Sequence, residues 1–183
     1  SIAIANAGAY SATTLSMDMG GLGKLTLDQG SSANGIQAYD DMMPTAWEEA
    51  TGAGMATGVR KPTGSGTSNN IMYTTPTVLG THMTFTLAPE YGATDTGDKA
   101  STDAGTANEA SYDATININP SLGTEILSGL NIFGGASTIE SVSDNGGSIA
   151  DRYEGVAGFT YDIGPISLGA QVSGDYTGVD DNG

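Results

Sequence analysis

The residues of this chain that could do chemistry are concentrated in one stretch, where four acids flank a short, mainly apolar run. Asp40 and Asp41 precede residues 42–47, and Glu48 and Glu49 follow them. Paired carboxylates act as acid and base in glycosidases, but only when a scaffold fixes their separation. Rings of acidic side chains also select cations in channels. The stretch offers no evident scaffold, so a glycosidase site is not indicated. If the acids line a pore, they would select cations; if they face bulk water, they are simply solvated surface charges.

Other reactive residues are too few for the common catalytic sites. His82 is the single histidine and there is no cysteine, which removes histidine-based triads, multi-histidine metal sites, thiolate sites and disulfides. Gly23-Lys24 lacks the Ser or Thr that completes a phosphate loop. The sequence therefore predicts no enzyme, no catalytic residue, no cofactor and no dedicated metal site, although acid-rich segments could hold Ca²⁺ loosely.

Composition narrows the class of protein further. The 183 residues carry 21 acids and five bases, a net charge of −16, which excludes the basic footprint of nucleic-acid binding. Only 14% of residues are charged, a low fraction for a soluble domain. A chain whose strands have one lipid-facing side and one small, uncharged side would show this shortfall.

Alternation of apolar and polar residues dominates the chain and predicts strands, because side chains on a strand point to opposite faces in turn. In residues 81–91, Met83, Phe85 and Leu87 alternate with Thr84 and Thr86. Eight such segments are predicted: 9–19, 24–29, 69–77, 81–91, 111–119, 128–137, 152–163 and 166–176. We expect Ile116, Ile132, Phe159, Leu168 and their apolar neighbours to share one face.

The links between these segments are expected to be short and long in turn. Tight Gly- or Pro-containing links are predicted at 20–23, 78–80, 120–123 and 164–165, and long segments at 30–68, 92–107 and 138–151. A soluble β-sandwich also has short strands and Gly-rich turns, but it has no reason to sort loop lengths by side. The pattern favours an all-β protein, an antiparallel transmembrane β-barrel, over a sandwich.

Two motifs add a resemblance to a known family. Residues 22–30, Leu-Gly-Lys-Leu-Thr-Leu-Asp-Gln-Gly, resemble the strand that precedes the constriction loop of general bacterial porins. Residues 70–77, Asn-Ile-Met-Tyr-Thr-Thr-Pro-Thr, resemble the strand that leaves that loop. The chain departs from the family at Asp28, where an arginine is frequent.

The resemblance implies a 16-stranded barrel that forms homotrimers in the outer membrane of Gram-negative bacteria. This chain would supply about eight of those strands, with 1–183 as part of a single barrel domain and 30–68 as the inward-folded constriction loop. Lipid and lipopolysaccharide would surround it, and small hydrophilic solutes would diffuse through it. The chain contains no signal peptide, so we expect any export signal to have been removed.

The pore constriction predicted from this resemblance combines acids and bases. Asp40, Asp41, Glu48 and Glu49 would form a negative rim, and Lys24 and Arg152 are the only bases on predicted strands with lumen-facing parity. This imbalance predicts a cation-preferring channel for passive diffusion. The alternative from a different class is an extracellular β-rich structural or adhesive surface protein without a pore.

Overall fold

The computed structural model describes residues 13–29, 34–40, 42–43, 62–89, 110–120, 127–140 and 151–177. Within these ranges the protein is all-β, with three short 3-10 turns. No helix among the described residues is long and apolar enough to cross a membrane.

Eight strands follow one another along the described part of the chain. Their bounds are β1 Thr14–Asp18, β2 Lys24–Gln29, β3 Asn69–Thr74, β4 Thr81–Ala88, β5 Ser111–Ile118, β6 Leu130–Ile139, β7 Arg152–Ile163 and β8 Ile166–Thr177. They form one sheet in the order β1 to β8, and each strand is antiparallel to the next. Among the described strands β1 and β8 are not paired with each other, so this sheet is open.

The predicted strands are confirmed in number and order, but several bounds differ: β3 ends at Thr74 rather than 77, and β4 ends at Ala88 rather than 91. β6 begins at Leu130, two residues later than predicted, because Leu127–Gly129 form a turn in which the Leu130 N–H donates to the Leu127 carbonyl at 3.1 Å. The link between β5 and β6 therefore covers 119–129, nearly as long as the 140–151 segment on the opposite side. The expected sorting of loop lengths holds for the other links but not for this one.

Register separates the two faces of the sheet as the alternation predicts. One face, called the apolar face below, carries the exposed large side chains of the strands: Leu15, Met17, Leu27, Ile71, Met83, Phe85, Leu87, Tyr112, Ile116, Ile132, Tyr153, Phe159, Ile163, Ile166, Leu168, Val172 and Tyr176. The other, the polar face, carries the buried polar side chains of the strands: Thr26, Asp28, Asn70, Thr86, Ser111, Asp113, Thr115, Ser137 and Glu154. This distribution is the reverse of a water-soluble sheet, which buries its apolar side.

Two segments of the long 30–68 connection cover the polar face. They are residues 34–40, which contain the 3-10 turn Gly35–Tyr39, and residues 62–68, which contain the 3-10 turn Gly64–Thr67. Together they are called the loop base here. Ile36 and Tyr39 of the loop base pack on Phe133 of β6 and Val156 of β7, and these four residues form a buried hydrophobic cluster. The cluster thus lies between the loop base and the polar face.

Removing the largest strand residue of this cluster should cost more than the same change on the apolar face. Phe133→Ala leaves a cavity beneath Tyr39, and we expect it to lower the free energy of unfolding by about 3–5 kcal/mol. The matched control is Phe159→Ala on the adjacent strand, because Phe159 is 43% exposed. Denaturant unfolding in detergent micelles measures both, and equal losses would contradict a core on the polar face.

Candidate functional site

Three buried carboxylates from three different strands hold the loop base on the polar face. Asp28 of β2, Asp113 of β5 and Glu154 of β7 are all 5% exposed or less. A buried carboxylate is costly unless donors compensate for its lost hydration. Residues of the loop base supply donors to each of the three.

Asp113 binds both segments of the loop base at once. Residues 34–40 are the leg that leaves the sheet, and residues 62–68 are the leg that returns to it. Its Oδ2 accepts the Ile36 backbone N–H at 3.0 Å, and its Oδ1 accepts the Ser65 backbone N–H at 3.0 Å. The Ser65 hydroxyl also donates to Oδ1 at 2.8 Å, and Ser111 donates to that hydroxyl at 2.9 Å. One carboxylate therefore closes the loop between positions 29 residues apart in sequence.

Glu154 binds the leg that returns to the sheet. Its Oε2 accepts the backbone N–H groups of Thr63 and Gly64, both at 2.8 Å, and its Oε1 accepts the Thr63 hydroxyl at 2.9 Å. Arg152 forms an ion pair with Glu154 at 2.5 Å and approaches Asp175 of β8 at 3.5 Å. Backbone donors and one guanidinium thus share the Glu154 carboxylate.

Asn34 links the leg that leaves the sheet to β2 and β3. Its amide nitrogen donates to Asp28 Oδ2 at 3.2 Å and to Asn70 Oδ1 at 3.0 Å. The Asn70 amide donates in turn to the Ser68 carbonyl at 2.7 Å. Contacts with β2, β3, β5 and β7 therefore spread the loop base across most of the sheet.

Stacking adds an apolar attachment beside the polar ones. The rings of Tyr39 and Phe133 lie 4.9 Å apart at 25°, and the Tyr39 hydroxyl donates to the Ile116 carbonyl at 3.3 Å. Burial raises the pKa of Tyr39, an effect that hydrogen bonds with Thr115 and Asn117 partly offset. The phenol accordingly stays neutral at physiological pH and remains a donor.

Glycines allow the loop base to approach Asp113 this closely. Gly35 has φ +61° and Gly64 has φ +48°, in the region where a side chain is strained. A Cβ atom at either position would run into the Asp113 carboxylate. The sequences Asn34-Gly35 and Gly64-Ser65-Gly66 are thus the local signals for the contact.

Three of the predicted constriction residues are described by the structure, and they lie on three different elements. Lys24 starts β2 at the end of the sheet with the β1–β2 link, exposed and in register with Asp18. Arg152 starts β7 at the opposite end, in its ion pair with Glu154. Asp40 ends the first 3-10 turn of the loop base and is partly exposed. The structure does not bring Lys24 and Arg152 together.

The other predicted constriction acids, Asp41, Glu48 and Glu49, lie outside the described residues. Within the described ranges no three His, Cys, Asp or Glu side chains converge as metal ligands. His82 lies on the polar face in register with Asn117.

Sequence reasoning missed Glu154, Asn34 and Ser65 as residues that hold the loop base. Strand parity placed Asp113 on the polar face, but as a lumen charge, whereas it is 4% exposed and covered by the loop base. An acid inside an otherwise uncharged strand was the only signal for its role. This arrangement attaches a loop to a sheet, and its buried carboxylate oxygens are already hydrogen-bonded.

Neutralising Asp113 should loosen the loop base without altering the strands. Asp113→Asn replaces one acceptor oxygen by a donor, so the Ile36 or Ser65 N–H loses its partner, at a cost of about 1–3 kcal/mol. We expect hydrogen exchange at these two amides to accelerate about 5- to 150-fold. Asp162→Asn is the matched control, because exposed Asp162 of the same face accepts from Ser167 rather than from the loop base. Equal exchange in both variants would contradict the assignment.

Comparisons with known proteins found no relative whose site could be compared with these contacts. No protein-family model, no curated protein sequence and no solved structure matches the chain.

Proposed function

We propose that this chain forms part of the wall of an outer-membrane porin, a water-filled and cation-preferring channel for passive diffusion of small hydrophilic solutes. The proposal makes 1–183 part of a single barrel domain, with 30–68 folded inward as the constriction loop. It includes a homotrimer surrounded by lipid and lipopolysaccharide, no enzymatic activity and no cofactor beyond loosely bound Ca²⁺.

The observation that carries the proposal is the reversed distribution of side chains. Val172 is 71% exposed, Leu15 65% and Leu168 52%, while polar side chains on the other face are buried beneath the loop base. Monomeric soluble proteins rarely leave a continuous apolar surface of this extent. A wall with lipid on its apolar face and a loop inside its polar face accounts for both observations.

Strand length and aromatic placement support the same environment. β7 and β8 contain 12 residues each, enough for a tilted strand that crosses a bilayer. Tyr153 and Tyr176 are cross-strand partners at one end of the apolar face, and Tyr161 lies eight residues from Tyr153 on β7. Eight residues span about 27 Å along a strand, near the height of an apolar membrane band between aromatic girdles.

The position of the loop base argues that further strands complete the barrel. Side chains alone fill the interior of an eight-stranded barrel. Here the loop base contacts the polar face from β2 to β7, so closing β8 onto β1 would leave no space for it. In lipid every backbone group needs a partner, so both sheet edges require neighbouring strands. A 16-stranded barrel meets both requirements.

Charge supports cation preference over anion preference. The chain carries 21 acids and five bases, and Arg152, one of the two bases on the described strands, is paired with Glu154 and Asp175. Asp40 lies on the loop base next to the proposed constriction. A negative lumen concentrates cations, and salt screens the effect over about 8 Å at physiological ionic strength.

Planar bilayers test the function directly. The intact protein should form conducting channels whose reversal potential in a salt gradient shows cation preference, which declines as salt rises. The combined variant Asp40→Asn, Asp41→Asn, Glu48→Gln and Glu49→Gln should shift the reversal potential toward anions, because it removes four negative charges from the proposed constriction.

A matched variant controls for overall charge. Neutralising Asp95, Asp98, Asp103 and Asp144, which belong to the other two long segments, removes the same charge but should leave selectivity nearly unchanged. Anion preference of the intact protein would refute the selectivity. A protein that stays monodisperse in buffer without detergent and never conducts would instead support the extracellular structural or adhesive alternative.

A further inference from the structure

Two adjacent methionines follow the first segment of the loop base, residues 34–40, in sequence. Met42 and Met43 are partly buried, and both pack against the hydrophobic cluster of Ile36, Tyr39, Phe133 and Val156. The thioether side chain is flexible and polarisable, so it fills irregular gaps beside aromatic rings. It is also the side chain here that mild oxidants convert from apolar to polar.

We propose that Met42 and Met43 form an oxidation site through which hydrogen peroxide or a similar small oxidant releases the loop base from the sheet. Attachment and release concern this chain alone and do not depend on the proposed function. Only the protection of Met17 and Met83 from a water-borne oxidant depends on it.

The oxidation step is a transfer of one oxygen atom. The thioether sulfur attacks an oxygen of hydrogen peroxide, the O–O bond breaks, and the sulfur gains that oxygen as a sulfoxide. The sulfur loses two electrons, the peroxide gains them, and the remaining hydroxide takes the proton of the transferred hydroxyl and leaves as water. Sulfoxide reductases reverse the change, so the site can be reset.

The sulfoxide acts on the attachment through packing. A polar S=O group loses hydration when it packs against the hydrophobic cluster, which disfavours that packing. The apolar attachment of the loop base then weakens, while the hydrogen bonds to Asp113 and Glu154 are chemically unchanged. Because Ile36 belongs to the cluster and also donates to Asp113, movement of the cluster is transmitted to that hydrogen bond.

The other four methionines of the described ranges, Met17, Met19, Met72 and Met83, are not among the residues packed on the cluster. Met19 is partly exposed in the β1–β2 link, so its oxidation would leave the loop base attached. Met17 and Met83 belong to the apolar face, which the proposed function places in lipid, away from a water-borne oxidant. Met72 lies on the polar face, partly exposed, and is not among the residues packed on the cluster. Met72 therefore serves as a matched reference for a methionine that oxidises without releasing the loop base.

The experiment treats the full chain in membranes with hydrogen peroxide, maps sulfoxides by mass spectrometry and follows hydrogen exchange at the Ile36 and Ser65 amides. We expect sulfoxide at Met42 and Met43 and exchange at least tenfold faster. Met42→Leu/Met43→Leu keeps the apolar volume and should abolish the acceleration. Met72→Leu should retain it, and treatment of the wild-type protein with a sulfoxide reductase should restore slow exchange.

Three outcomes would overturn the inference: oxidised Met42 and Met43 with unchanged exchange, resistance of both while Met72 is oxidised, or an undiminished response in the double leucine variant. Failure of the proposed function gives a different result. Met17 and Met83 would then oxidise in membranes as readily as Met72, or no channel would conduct, while the exchange response of Ile36 and Ser65 would persist.

Discussion

The structure depends on one buried carboxylate that joins two distant parts of the chain. Asp113 accepts backbone N–H groups from Ile36 and Ser65, so a single strand residue fixes both legs of the long connection. Without these donors the carboxylate would be buried and unpaired, and without the carboxylate the two 3-10 turns would leave their N–H groups unsatisfied. The carboxylate and the N–H groups therefore satisfy each other by hydrogen bonding, which offsets the free-energy cost of burying both.

That constraint explains why the buried cluster lies on the polar face. A sheet in water normally covers its apolar side, yet here the loop base covers Thr115, Ser137 and Glu154, while Phe85, Phe159 and Leu168 stay exposed. Phe133 and Val156 give the loop base a small apolar contact within an otherwise polar surface. The exposed apolar side then needs a nonpolar environment of its own, which is the physical basis for proposing lipid contact.

Local signals allowed the strands, but not the loop base, to be predicted from sequence. β7 and β8 follow from twelve-residue alternation around Gly164-Pro165, because strand parity and a two-residue turn are properties of neighbouring residues. The start of β6 was misplaced because the turn before Leu130 depends on a backbone hydrogen bond rather than on Gly or Pro alone. The pairing of Glu154 with Thr63 joins residues 91 apart, and no periodicity carries that information.

Site-directed spin labelling along β8 tests the central claim most directly, because the chain has no cysteine and each introduced one is a unique label site. In lipid vesicles, labels at Leu168, Ala170, Val172 and Gly174 should collide with oxygen dissolved in the bilayer, and labels at Ser167, Gly169, Gln171 and Ser173 with a water-soluble nickel chelate. An alternation with a period of two residues is the predicted result. Access of the nickel chelate to both sets would contradict a wall between lipid and water.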